Sequence, residues 1–484
     1  MPSISDTSEW RKCMEERWDR SRSLLGGTDS MRKRGTAYLP MFPDESQSSW
    51  EYRLKLATLN NFFRRMARTM MGYLFSRPVE LQDCKLPEEF LENVDKRGRD
   101  VNQFARVLAW HMLTRGLAVP HVDYPVVPKG LNLKQEKELG ARPLWRAITP
   151  DSLVAGFVNE ESGPETITHL RWYENVVVAN GWEDAGLKRI RVLDTLGLGR
   201  AECQQALKLE DSFLAAPAVY MVFQEGGQGN WQPISAGVID LGVLPVTVSY
   251  TERESFMMSR PPLDDVSWKN IHHWRLSSNL EHILELSAFP TQYQVGTENP
   301  VATVGPSILL HSPNDKSKFG YIEPSGSGIQ ANERALERLV TEAEMLGFQL
   351  LSQKQGNPET ASGRILDETK STSPLQDISL ALEEGINRAL VLTTKWYGLP
   401  ESDAGFANVN KAFGIDPELL RKADLVLRLR GMQDITVETM YELLREYGVV
   451  PRDFDIKKEV TEVEKMVAEQ LKSAEANAGA DPNV

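Results

Sequence analysis

The residues best suited to chemistry in this chain lie together in one predicted helix: His272, His273 and His282, with Asp264 and Asp265 at its start. Imidazole and carboxylate groups are the donors of hydrolytic zinc sites, so a metal-dependent hydrolase using these residues is one function class to weigh. The spacing argues against it. His272 and His282 are ten residues apart, almost three helical turns, and a single ion cannot reach both. Adjacent His272 and His273 point about 100° apart around the axis, and no HExxH pair occurs. Asp264 and Asp265 suit the positive N-terminal end of the helix dipole, and that structural role accounts for them. The glycine-rich pieces SGSGIQ (325–330) and GLGR (197–200) lack the Lys-Ser/Thr of a P-loop and the GxGxxG pattern, so ordinary turns explain them. Neither a GxSxG elbow nor a Cys–His signature is present. Cys13, Cys84 and Cys203 are scattered and odd in number, which points to a reducing compartment and to neither a disulfide framework nor a cysteine zinc site. The expectation is a non-enzymatic chain with no metal and no cofactor.

Composition sets the outer bounds. At 484 residues there is room for about three domains, and a hydrophobic fraction of 41% is ordinary for a globular protein. The charged N-terminus has no apolar segment of the signal-peptide kind, and no run reaches the roughly 18–20 apolar residues that span a bilayer. No membrane role is expected. The net charge is −13, whereas a duplex-gripping protein carries a basic surplus for phosphate. Composition therefore favours an acidic protein without a nucleic-acid role, yet it also permits a conduit, whose acidic walls would let DNA slide.

Elements must hold whatever the chain does. Asp6 with Glu9, and Ser48 with Glu51, have the capping-box pattern. The first opens a short helix closed by Gly26-Gly27 and followed by extended RKRGTAYLPMFPDES, so residues 1–44 read as an arm. The second opens one long amphipathic helix, WEYRLKLATLNNFFRRMARTMMGYLF, ended by Arg77-Pro78. Asp100 and Gly116 bracket another helix, VNQFARVLAWHMLTRG. Residues 117–250 then read as antiparallel β: LAVPHVDYP, ETITHLRWYENVVV, LKRIRVLDTL, PAVYMVFQE and GVLPVTVSY, with GGQGN as a hairpin turn. Near the C-terminus FANVNKAFG is strand-like, and Asp416-Pro417 open the first of two or three short helices punctuated by Gly431 and Gly448. A charged helix over 456–476 precedes a frayed end.

Residues 262–400 carry the most information. A long helix (LDDVSWKNIHHWRLSSNLEHILELSAF) is followed by β pieces (PTQYQVG, SILLHS and FGYIEPSGSG) and a second long helix (IQANERALERLVTEAEMLGFQLLSQ). Then come a polar loop (KQGNPETASG) and a third helix expected to break or kink at Pro374. In the second helix Leu336, Ala343 and Leu350 repeat every seven residues, with Leu339 and Leu346 as a second row. Val266, Ile271, Trp274, Leu280, Ile283 and Leu286 of the first helix are the packing partners. Periodicity alone leaves a stalk and a four-helix bundle equally open. In the polar loop Lys354, Gln355 and Asn357 are able to touch phosphates without sequence preference, although a plain helix–helix connection fits the same composition.

The order of these segments resembles that of tailed-phage portal proteins, the head-to-tail connectors, and is most similar to the short-tailed-phage type. The likeness runs over about residues 36–460. YLPMFPDESQSSWEYRLKLA and MGYLFSRPVEL resemble the family's opening, WRLSSNLEHILELSAFPTQYQVG its stem helix entering the clip, and FGYIEPSGSGIQANERALERLVTEAEMLGFQLL the return. ETASGRILDETKSTSPLQDISLALEEGINRALVLTTKWYG resembles the end of the tunnel loop and the long kinked helix.

The resemblance implies an α+β portal fold. Its parts would be an N-terminal arm (1–44), a β-rich wing (45–263), stem helices (264–288 and 328–353) and a β clip (289–327). A tunnel loop (354–363), a long kinked helix with a wing return (364–414), short crown helices (415–476) and a disordered tail (477–484) complete it. It implies a dodecameric ring at one capsid vertex, in the virion and earlier in the host cytoplasm, through which the genome is packaged and ejected. The partners implied are the terminase large subunit, a tail adaptor, the major capsid protein and double-stranded DNA passing without sequence specificity. Lys354, Gln355, Asn357, Glu359 and Thr360 would line the DNA channel. Trp274, Ile283, Leu286, Leu336, Leu339, Ala343, Leu346 and Leu350 would pack the stem. The metal-dependent hydrolase of His272, His273 and His282 and a non-catalytic intracellular scaffold are the alternatives.

Overall fold

The computed structural model describes residues 3–125, 139–159, 165–180, 182–226, 229–288, 291–295, 318–322, 327–349, 373–411, 417–432 and 434–446, with isolated positions besides. It is a mixed α+β chain that divides into two compact units, Met1–Lys411 and Ala412–Val484.

The segment expected to be an arm contributes to the core. Helix α1 (Glu9–Leu25) and helix α2 (Gly27–Arg34) come from it. Met14, Trp18 and Leu24 of α1 are fully buried, because their spacing forms one apolar face. Charge on the same helix bolts it down: Arg22 pairs with Asp151 at 3.0 Å, and Arg115 pairs with the same carboxylate at 2.8 Å. The expected capping boxes shift by two residues each. Ser8 is the N-cap of α1, and Ser46 caps α3 (Gln47–Leu56) by accepting from the Ser49 amide. The long helix expected from Trp50 onward is two helices, α3 and α4 (Phe62–Leu74). Asn61 causes the break: its Oδ1 caps α4 through the Arg64 amide and its Nδ2 donates to the Leu24 carbonyl.

A short strand β1 (Glu80–Gln82) and the one-turn helix α5 (Glu88–Leu91) lead to α6 (Val101–Arg115). That helix has the expected ends, with Asp100 accepting from the Gln103 amide and Gly116 in the left-handed region at φ 85°. A three-stranded sheet orders β3 (Leu144–Ile148), β2 (Leu117–Asp123) and β9 (Ser249–Tyr250). An antiparallel five-stranded sheet orders β4 (Leu153–Asn159), β5 (Thr166–Asn180), β6 (Glu183–Asp194), β7 (Val219–Glu225) and β8 (Trp231–Val238). Where β7 passes to β8, at the expected turn, the Gly226 amide donates to the Asn230 carbonyl. Between β6 and β7 lie α7 (Arg200–Leu207) and α8 (Ser212–Ala215). The hairpin β10 (Arg253–Ser255) and β11 (Met258–Ser259) precedes α9 (Asp264–Ala288).

Met14 and Trp18 share one core with Leu117, Ile148, Leu170 and Trp172. A second core joins Phe62, Phe63 and Ala67 of α4 to Val266, Ile271 and Trp274 of α9. After α9 come β12 (Thr291–Val295), β13 (Lys318–Ile322), α10 (Ser327–Gln349) and α11 (Pro374–Trp396); β14 (Phe406–Asn408) then pairs with β1. Where a break or kink is expected at Pro374, the structure has a helix start. Ser373 has extended backbone (ψ 149°) and forms a full capping box with Gln376, so Pro374 sits in the first turn of α11, where its missing N–H costs nothing. The C-terminal unit holds α12 (Pro417–Gly431), which begins at the expected proline, and α13 (Val437–Glu446). The two meet through Val426 and Leu444, flanked by Ile435, Met440, Leu443 and Val450. Most of the expected helix over 456–476 lies outside the described residues.

Candidate functional site

Helices α9 and α10 form a hairpin with a β tip. Lys269, early in α9, pairs with Glu342, late in α10, at 2.5 Å, so the helices run antiparallel. At the far end β12 and β13 pair antiparallel from Thr291↔Ile322 to Val295↔Lys318. The base of the hairpin is embedded in the body. Val266, Ile271, Trp274, Leu339 and Ala343 are all at most 2% exposed. Gly347 lets α10 approach Met66 of α4 closely, since a Cβ there would collide with the Met66 thioether. The buried Asn270 side chain accepts from the Phe63 amide and donates to the Asn60 carbonyl, both at 2.9 Å.

Arg53 is the strongest tether. It is 1% exposed, its fork grips Glu45 at 2.9 and 2.7 Å, and it donates to the Pro40 carbonyl and to Asn279 of α9. The Arg53 hydrogen bonds hold the Glu45 carboxyl below the usual range, outweighing its burial. No local motif announces this pair: Arg53 and Asn279 are 226 positions apart.

Toward the β tip the packing stops. Ile283 and Leu336 are half-buried, and Leu284 and Val295 are 44% and 57% exposed. No described α10 residue before Leu339 is buried. Of the residues expected to pack the stem, Trp274, Leu339 and Ala343 are buried, and Ile283, Leu336 and Leu346 are half-buried. The Leu286 side chain and Leu350 lie outside the described residues, as do Lys354, Gln355, Asn357, Glu359 and Thr360.

The histidines and aspartates are not brought together. His272 is exposed, whereas His273 is buried edge-on against Phe62 at 5.6 Å. Burial, with His272 nearby, pushes the pKa of His273 down. Asp264 pairs with Arg20 at 2.7 Å and Asp265 with Arg260 at 3.0 Å. Among the described residues no group of three or more His, Cys, Asp or Glu could hold a metal ion.

A second buried network lies in the five-stranded sheet. Asp194, fully buried, accepts from the Gly197 amide at 2.7 Å, meets His169 Nδ1 at 2.8 Å and pairs with Arg200 at 3.2 Å. Burial alone would raise the Asp194 pKa; the bonds from His169, Gly197 and Arg200 prevail and lower it. His169 is 3% exposed and stacks on Phe157, so this dyad has no open face for a substrate and instead locks β6 to α7. The GLGR turn serves it, with Gly197 and Gly199 at φ 86° and 74°.

None of the curated proteins compared with the chain matches it. Among solved structures it is similar to a chain from the neck of an empty GTA particle computed with C6 symmetry, at 12% identity and TM-score 0.37, over 78% of this chain and 89% of that one. It is similar to a chain of the virion of a native gene transfer agent particle, at 10% identity and TM-score 0.37, over 85% of this chain and 98% of that one. A chain from the neck of a native GTA particle computed with C12 symmetry aligns at 12% identity and TM-score 0.36, over 79% and 88%. Residues 262–397, the span from the start of α9 to the end of α11, match the family model described as a domain of unknown function, DUF4055.

Proposed function

We propose that the chain is a non-enzymatic, ring-forming subunit of the phage portal type, a head-to-tail connector. The observation that carries the reading is the half-covered hairpin. Its base is fixed in the core by Trp274, Ala343, Asn270 and Arg53, while toward the β tip Leu284 and Val295 are open and no described α10 residue before Leu339 is buried. Two helices and a two-stranded tip bury too little apolar area to stand alone. Identical neighbours around a closed ring would supply the missing contact through repeated heterologous interfaces.

In this reading the ring is a dodecamer at a unique capsid vertex, assembled in the host cytoplasm and carried in the virion. DNA passes through it during packaging and ejection. The β tip docks the terminase large subunit and later the tail adaptor, and the outer surface meets the major capsid protein. The loop with Lys354, Gln355, Asn357, Glu359 and Thr360 lines the channel and touches phosphates without reading bases.

Size-exclusion chromatography with light scattering tests the assembly. A mass near twelve times 54.5 kDa is expected, and a species of 54.5 kDa at every concentration would reject the ring. Replacing 354–360 by a Gly/Ser segment should leave that mass intact and lower the yield of packaged DNA. An unchanged yield removes the loop from the channel.

A further inference from the structure

From residue 52 to 79 this acidic chain has no Asp or Glu, yet it has Arg53, Lys55, Arg64, Arg65, Arg68 and Arg77. Arg53 is consumed by Glu45 inside the core. Three of the others converge on α4. Its buried face is Phe62, Phe63, Ala67, Met70 and Leu74. At 100° per residue Arg64, Arg65, Arg68 and Gly72 fall on the opposite side, and all four are exposed. No ion pair joins Arg64, Arg65 or Arg68 to an acid among the described residues; Arg65 donates to the Asn60 side-chain oxygen at 2.9 Å.

Local physics disfavours this arrangement. Arg64 and Arg65 stand in the first turn, where the helix dipole is positive and cations destabilise. Arg64 and Arg68 are like charges one turn apart, which destabilises further. A stripe that breaks two local rules and meets no acid among the described residues is where an external anion is expected.

The surroundings select the kind of anion. The stripe is bordered by Thr69 on one side and the half-buried Met71 on the other, and a Cβ at Gly72, within it, would meet only open space. The buried centre of a contact between protein copies is more apolar than the surface around it, whereas contact with nucleic acid is polar, wet and cationic. Guanidinium groups also match phosphate as bidentate donors. We propose that Arg64, Arg65 and Arg68 on the outer face of α4 bind the phosphate backbone of duplex DNA without regard to sequence. This deepens the connector reading and rests on it for its biological setting, but the surface itself is separate from the 354–360 loop.

The test is fluorescence anisotropy of a labelled random-sequence 25-bp duplex with the full-length protein between about 20 and 150 mM NaCl, the weak, salt-sensitive regime of non-specific binding. Each phosphate contact contributes about 0.9 to the slope of log K against log salt. The triple variant R64Q/R65Q/R68Q should therefore lower the slope by about 2.7 per engaged subunit and weaken binding at every salt concentration. G72K, which adds a fourth cation to the stripe at an open helical position, should tighten binding and steepen the slope. Light scattering and far-ultraviolet circular dichroism on the same samples report assembly and folding. If the triple variant misfolds, G72K decides alone, and an unchanged slope in that variant overturns the proposal. So does a folded triple variant with an unchanged slope. A triple variant that keeps its slope but loses its high-mass species makes the stripe a copy–copy contact instead, which also overturns it. A wild-type monomer that still shows the slope change would defeat the ring while leaving the stripe standing.

Discussion

Arg53→Met should destabilise the body of the chain by about 3–5 kcal/mol, the usual cost of removing one partner from a buried ion pair. The reasoning is geometric. Arg53 is 1% exposed and Glu45 5% at the side chain, so water cannot replace what is lost. Methionine keeps much of the volume but strands the Glu45 carboxylate with only the Phe42 amide, and leaves Asn279 and the Pro40 carbonyl without their donor. For a cooperative unit of residues Met1–Lys411, at about 2.1 cal/mol/K per residue, that loss is a fall in Tm of about 3–6 °C. Calorimetry at fixed protein concentration measures it, since assembly would otherwise shift the midpoint. The double variant R53M/E45L removes both charges and should recover more than half of the loss. A fall under about 1 °C in the single variant, or a double variant worse than the single, would refute the claim that an uncompensated carboxylate is the source.

Three further outcomes are expected. His121 is 1% exposed, edge-on to Trp172, and burial lowers its pKa to about 4. Its neutral form is native, so its contribution is complete above about pH 6.5 and is lost as pH falls toward 4, by about 3 kcal/mol. His121→Phe should flatten that part of the melting-temperature profile, and an identical profile would count against it; His111, also lowered to about 4, keeps the remainder. Leu284→Glu, at a 44% exposed site, should change Tm little yet abolish the high-mass species in light scattering. A normal ring would show that this face is not an interface. Ser373→Ala removes the side-chain cap of α11 and should cost about 1 kcal/mol, read as faster amide exchange in its first turn, whereas unchanged exchange would mean that Pro374 alone sets the helix start.

The sequence by itself determined the elements whose ends are written in local chemistry. Asp100 and Gly116 bracket α6, and two long apolar-striped segments flank the short β piece that forms β12 and β13. Helical spacing alone also keeps His272 and His282 too far apart for one ion. The sequence reading misplaced ends where two polar residues competed to cap, Ser8 against Asp6 and Ser46 against Ser48, and at Pro374 it left a break and a kink both open although the S-x-x-Q pattern of a helix start was there to be read.

Tertiary structure alone decided what the charges do. Whether an arginine in the first 115 residues is solvated or buried depends on which carboxylate the fold delivers to it. Arg115 meets Asp151, Arg53 meets Glu45 and Asn279, and Arg64, Arg65 and Arg68 meet no described acid. A guanidinium looks the same in every local window. Its role is set by desolvation and by partners up to hundreds of positions away, and only packing fixes those.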